Sequence, residues 1–111
     1  FKVGNSTVTM CHTGTEDISY FTKQADIIVA AVGVPEMLTG DMIKNGACLI
    51  DVGINRVEDN NFEKGYRLVG DIHSESVLGK ASSLTPVPGG VGPMTITMLL
   101  YNTVKSAQLL K

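Results

Sequence analysis

"DIIVAAVG", residues 26–33, is the stretch that decides the fold of this 111-residue chain. After Asp26 it holds no polar side chain, and Gly33 ends it. A strand with one face in water alternates apolar and polar residues. One that does not alternate is expected to be covered on both faces, as in a parallel sheet. Upstream, "STVTMCH" at residues 6–12 is rich in β-branched residues and predicts a strand, and residues 16–23 predict a helix. Downstream, residues 39–44 can form a short helix, with Thr39 as N-cap and Asn45-Gly46 as its end. "CLIDV" at residues 48–52 predicts the next strand, closed by Gly53, and the polar residues 58–65 predict an exposed loop. A short strand at residues 67–69, a helix over about 74–80, a short strand around 83–85 and a closing helix from Pro93 to about Leu110 complete the series. Strand–helix alternation of this kind predicts an α/β class with a doubly wound parallel sheet.

Composition narrows the setting. Hydrophobic residues make up 43% and charged residues 18%, which favours a buried core over disorder. The length suits about one domain. A net charge of −2 and the lack of a basic stripe rule out a strong electrostatic case for nucleic acid. The longest apolar run, residues 27–34, falls far short of the roughly 20 residues of a membrane-spanning helix. Cys11 and Cys48 lie in predicted strands and are expected to be reduced, buried residues of an intracellular protein.

In a parallel α/β sheet, ligands bind outside the carboxyl ends of the strands. Those ends read His12-Thr13-Gly14, Val32-Gly33-Val34-Pro35, Gly53-Ile54-Asn55-Arg56 and Gly70-Asp71, followed by the loop over residues 85–93. Glycine recurs in them, where it admits a close backbone approach or a positive φ. Glycine also punctuates ordinary strand ends, so spacing alone leaves a ligand site and a plain turn both open.

The loop "TPVPGGVGP" tilts that balance. Pro86 and Pro88 are expected to hold residues 85–88 extended. Gly89, Gly90 and Gly92 then remove side chains, and Pro93 suits the first position of the following helix. In that helix Ile96, Leu99, Leu100, Val104 and Ala107 predict an apolar, core-facing side. Backbone amides at such a helix start can meet a polar or anionic ligand, although no phosphate fingerprint is present.

"TPVPGGVGPMT" at residues 85–95 resembles the C-terminal signature of the bifunctional methylenetetrahydrofolate dehydrogenase/methenyltetrahydrofolate cyclohydrolase family. "TVTMCHT" (7–13), "ADIIVAAVGVP" (25–35), "IDVGINRV" (50–57) and "LVGDI" (68–72) resemble the same family in the same order. The resemblance implies a Rossmann-type domain that binds NADP. It also implies hydride transfer from methylene-tetrahydrofolate to that cofactor, and hydrolysis of the methenyl product to formyl-tetrahydrofolate in one-carbon metabolism. By the same resemblance Thr13 meets the adenosine ribose or its 2′-phosphate, Ala31, Val32 and Gly33 line the cofactor cleft, and Val52 and Ile54 contact the nicotinamide end. Pro88, Gly89, Gly90, Val91, Gly92, Pro93, Met94, Thr95 and Ile96 border the folate pocket, and Thr95 also reaches the cofactor. A cytoplasmic homodimer is the implied parent, with a mitochondrial location left open.

The residues support NADP independently. A Rossmann domain selective for NAD commonly places an acid at the end of its second strand, where it repels a 2′-phosphate. Here that end reads Cys11-His12-Thr13, and Glu16 and Asp17 fall in the first turn of the next predicted helix. The family's Tyr-x-x-x-Lys motif and its Gly-Arg-Ser phosphate loop are both expected upstream of Phe1. The chain is therefore read as the C-terminal part of the NAD(P)-binding domain, residues 1–111. It lacks the first strand and helix, with the N-terminal catalytic domain outside it and no catalytic residue within it. Tyr101 and Lys105 do spell Tyr-x-x-x-Lys, but one turn apart in the closing helix, where the family has no catalytic pair.

Cys11 and His12 point to opposite faces of a predicted strand, and no second pair stands at a metal spacing, so no metal site is expected. His73 reads as a surface or capping residue, and Met94 and Met98 as core or pocket lining. Asp71 is expected to anchor Arg56 or a loop amide across the strand ends. The alternative to an enzyme fragment is a non-catalytic nucleotide- or folate-binding module, or an assembly partner.

Overall fold

In the computed structural model, which describes residues 4–110, β1 (Ile27–Ala30) pairs in parallel with β2 (Cys48–Asp51), and β2 pairs in parallel with β5 (Ser83–Leu84). The register sets Ile28 beside Leu49 and Ala30 beside Asp51, so the carboxyl ends of β1 and β2 finish level. Backbone hydrogen bonds continue past both pairs, from Val52 N to Ala30 O at 2.9 Å and from Thr85 N to Leu49 O at 3.1 Å. Three loop entries thus stand side by side at one edge of the sheet.

The core lies on one face of this sheet. Ile28, Ala30 and Leu49 point into it and meet Leu38, Ile43, Ala47, Ile72 and Val77, the last from the short helix α2 (Ser74–Val77). The other face of β1 carries Ile27 and Val29, both more than half exposed. An unbroken apolar run predicts cover on both faces, and the described residues supply it on one. The segment after β1 is tied to the end of β4 (Tyr66–Val69) by Glu36 N to Gly70 O, Leu38 N to Asp71 O and His73 N to Leu38 O, all within 3.0 Å.

Several expected elements differ. Residues 6–12 form no strand and are largely exposed, because no neighbour among the described residues pairs with their backbone. Cys11 and Cys48 are free thiols and only half-buried, not the buried residues expected. β3 (Asn55–Glu58), a strand not predicted and overlapping the expected loop only at Glu58, pairs antiparallel with β4, so the strand at residues 66–69 belongs to a hairpin and not to the parallel sheet. Arg56 lies over the Tyr66 ring at 4.1 Å, and Arg67 reaches Asp59 at 3.4 Å. Residues 39–44 supply only a 3-10 turn at Gly40–Met42. Thr39 stands at its N-cap position but makes no side-chain capping bond; its hydroxyl donates to the Asp41 carboxylate and holds that carboxyl below its ordinary range. The predicted helix at residues 16–23 is the single turn α1 (Ile18–Thr22), capped by Asp17, which accepts from Tyr20 N.

The closing helix α3 spans Val91–Leu109, two residues earlier at its start than expected. Pro93 is therefore its third residue, where its missing N–H still costs nothing because the first four amides of a helix have no partner within it. None of its residues is buried: Ile96, Leu99, Leu100 and Val104, expected to face the core, are all at least 60% exposed, and Met94 and Met98 are exposed too. Apolar residues surround the helix, and no other described element packs extensively on it. Its projection explains a radius of gyration of 16.5 Å, against about 13 Å for a compact chain of this length.

Candidate functional site

The loops leaving β1, β2 and β5 carry nearly all the residues that the sequence marks. After β1, Ala31 leads to Val32 and to Gly33, whose φ of +72° lies in the left-handed region that disfavours a side chain. After β2 come Val52 and Ile54, exposed by 40% and 58%. After β5, the chain is extended only as far as Pro86; residues 87–89 turn, with a cis peptide between Val87 and Pro88, so the expected extended lead-in to Pro88 is shorter. A β-carbon on Gly90 would sit 2.3 Å from the Pro86 carbonyl oxygen, so only glycine lets the turn close.

This turn faces the end of β2. Asp51, Val52 and Ile54 on one side and residues 86–92 on the other line a shallow depression. Thr85 fastens the two walls: its Oγ1 accepts from Asp51 N at 2.8 Å. Gly92 is different from its neighbours. A β-carbon there would meet only Ile54 Cδ1, at 3.9 Å, and its backbone is ordinary helix. The fold makes no demand for glycine at 92, and the wall is bare there. Exposed Val52 and Ile54 beside a wall that lacks side chains at Gly89, Gly90 and Gly92 make a surface suited to a flat, partly apolar ring system.

Two buried carboxylates hold these loops. Asp71 is fully buried, and its Oδ2 accepts from Val32 N at 2.7 Å and Gly33 N at 3.0 Å, while Oδ1 accepts from Asn55 Nδ2 at 2.8 Å. Asp51, 4% exposed, accepts from Gly53 N and Asp71 N on Oδ1, at 3.0 and 2.9 Å, and from Ile72 N on Oδ2 at 3.1 Å. Asp71 therefore anchors loop amides across the strand ends, as its position predicts, and leaves Arg56 to the hairpin. Asp51, Asn55 and Thr85 lie in the quoted motifs, but sequence reading gives none of them a role. The available signal is the charge in "CLIDV", an acid inside an otherwise apolar strand.

Thr13 stands apart, at the tip of a turn over residues 12–15 closed by Thr15 N to His12 O at 2.9 Å. His12 is occupied within this turn, its Nδ1 accepting from Gly14 N and its backbone N–H donating to Thr15 Oγ1. No acid lies in the turn, and Asp17 is committed to capping α1. Pro93, Met94, Thr95 and Ile96 belong to the first turns of α3. Thr95 Oγ1 donates to Val91 O at 2.8 Å, which leaves its lone pairs free. His73 caps α2, its Nδ1 accepting from Ser76 N. Among the described residues no three His, Cys, Asp or Glu side chains gather where a metal ion would sit, and no helix is long and apolar enough to cross a membrane.

Over residues 1–111 the sequence matches the family described as "Tetrahydrofolate dehydrogenase/cyclohydrolase, NAD(P)-binding domain". The chain belongs to the tetrahydrofolate dehydrogenase/cyclohydrolase family. It is 64% identical over 102 residues to the bifunctional protein FolD of Chloroherpeton thalassium, a match that covers 92% of this chain and 35% of that protein. The crystal structure of the FolD methylenetetrahydrofolate dehydrogenase/cyclohydrolase from Campylobacter jejuni superposes with a TM-score of 0.82 at 52% identity, over 96% of this chain and 36% of the other. FolD of Trypanosoma brucei, solved with NADP cofactor and inhibitor, gives a TM-score of 0.72 at 47% identity, over 78% of this chain and 29% of that one. The fold is thus a partial Rossmann-type α/β domain. This family member spans about a third of the length of the relatives it matches.

Proposed function

We propose that this chain is the C-terminal part of the cofactor domain of an NADP-dependent methylenetetrahydrofolate dehydrogenase and methenyltetrahydrofolate cyclohydrolase, whose catalytic domain lies outside it. The observation that supports this most is the side-by-side placement of two walls at the strand ends: exposed Val52 and Ile54, and the glycine-bare turn into α3. In this reading Ala31, Val32, Gly33, Val52, Ile54 and Thr95 bind the cofactor, with Thr13 at its adenosine end. Residues 88–96 border the folate. The fit to NADP is supported at Thr13, where a 2′-phosphate would meet a turn without a carboxylate. When bound, NADP supplies the hydride acceptor. This chain's residues hold two flat rings in a fixed mutual orientation and keep water from the space between them, which is where positioning lowers a transfer barrier. The family resemblance extends the proposal to a cytoplasmic homodimer.

The test is direct. The intact protein is expected to reduce NADP with methylene-tetrahydrofolate and to open methenyl-tetrahydrofolate, while the purified 111-residue chain does neither. NADP binding without either activity in the intact protein would favour the non-catalytic module instead. A strong preference for NAD would overturn the role of Thr13.

A further inference from the structure

We infer that Asp71 is a positioning residue that shapes the cofactor loop, a role that rests on the reading of that loop given above. Asp51 and Asp71 are the charged side chains buried among the described residues, and no Lys, Arg or His pairs with either. Burying a carboxylate is costly unless hydrogen bonds replace its water. Here every described partner is an N–H donor, and the donors come from three separate loops: residues 32–33, 53–55 and 71–72.

Two glycines make room for the pair. A β-carbon on Gly70 would lie 1.8 Å from Asp51 Oδ2, and one on Gly53 would lie 2.2 Å from Asp71 Cγ. The chain is thus bare at both positions where a carboxylate must enter. Asp51 seats Asp71 by taking its backbone N–H, and Asp71 in turn takes the N–H groups of Val32 and Gly33. Those two amides are occupied, so they do not serve as an anion cradle. The loop offers a ligand its shape, through Gly33 at φ +72° and the exposed Val32 side chain, and Asp71 sets that shape.

The experiment uses the intact protein and reads two activities with different needs. Hydride transfer requires NADP; hydrolysis of the methenyl group does not. Asp71→Ala leaves two loop amides without an acceptor, and the Kd for NADP, measured by calorimetry, is expected to rise about tenfold or more while cyclohydrolase turnover stays within about threefold. Asp71→Asn is expected to restore the Kd to within about threefold, because its oxygen can accept both amides and its NH2 can donate to Asn55 once that amide rotates. If Asp71→Ala does not fold, Asn55→Ala carries the test. It removes one donor from Asp71 and spares both loop amides, and a rise of about two- to threefold in Kd is expected. An unchanged Kd in folded Asp71→Ala, or in Asn55→Ala where that variant replaces it, overturns the inference. So does an equal loss of both activities in Asp71→Ala. If the wild-type protein binds no NADP, the proposed function falls as well, and the two failures are told apart by the wild type alone.

Discussion

Alanine at position 92 and alanine at position 90, two residues apart across the start of α3, should act in opposite directions on stability. Gly92 is the second residue of α3; a β-carbon there meets only Ile54 Cδ1, in ordinary van der Waals contact at 3.9 Å. Alanine exceeds glycine in a helix by up to about 1 kcal/mol, so Gly92→Ala should leave stability unchanged or raise it by that much. At Gly90 the same atom would stand 2.3 Å from the Pro86 carbonyl oxygen and 3.2 Å from the proline Cδ. The backbone must move, at an expected cost of about 1–3 kcal/mol. If Gly92 is bare because a folate ring packs there, its added methyl should cost about 1–3 kcal/mol of binding, or roughly 5- to 150-fold in KM for methylene-tetrahydrofolate. Thermal denaturation and steady-state kinetics of the intact protein measure both quantities. A Gly92→Ala protein with an unchanged KM refutes the wall assigned to residue 92. One that is less stable by more than about 1 kcal/mol refutes the account of its open surroundings.

Asp51→Asn should destabilise more than Asp71→Asn. Asp51 accepts backbone N–H groups on both oxygens, so an amide must face one donor, at a cost of about 1.5–3 kcal/mol; Asp71 meets a rotatable Asn55 amide on one side and should lose about 1 kcal/mol or less. Equal losses in chemical denaturation would count against the geometry. Leu49→Ala, at a position 1% exposed in the middle strand, should cost about 2–5 kcal/mol in the same measurement. Thr39→Val removes the hydroxyl that holds Asp41 below its ordinary range, so the Asp41 titration followed by NMR should move upward. Because the folded-state value is depressed, the stability Asp41 contributes is present above the unfolded-state value and fades as pH falls through the folded one. In Thr39→Val that acid-range dependence should shrink.

Much of the fold was legible because local chemistry and tertiary contacts agree. The parallel β1–β2 pair follows from two apolar strands, each closed by a glycine-bearing turn. Asn45-Gly46 forms a turn with Gly46 at φ +82°, although the element it is expected to end stops at Met42, and of the loop expected over residues 58–65 all but Glu58 connects the hairpin strands. Two of the failures, at residues 6–12 and at α3, share one physical cause. "STVTMCH" has strand composition, and the residues of α3 have the apolar content of a core helix, but a strand needs a hydrogen-bonding neighbour and an apolar helix a surface to cover it. Neither partner is among the described residues, so the propensities stand unrealised.

Candidate site residues divide in the same way. Val32, Gly33, Val52 and Ile54 could be named through the resemblance of their motifs to the family, and the Pro-Gly loop through its unusual run of prolines and glycines as well. The roles of Asp51, Asn55 and Thr85 could not, since each depends on a residue far along the chain brought within 3 Å of it: Thr85 to Asp51, Asp71 to Asn55. By itself, the sequence determined the α/β class, the strand ends at which ligand binding is proposed and the family. Only the tertiary structure decided that β4 leaves the parallel sheet for a hairpin, that Gly53 and Gly70 are bare to admit carboxylates, and that Gly92 is bare for no reason internal to the fold. Periodicity and turn chemistry act over a few residues and can be read in order, whereas a hydrogen bond between residues 32 and 71 depends on a distance that no local pattern records.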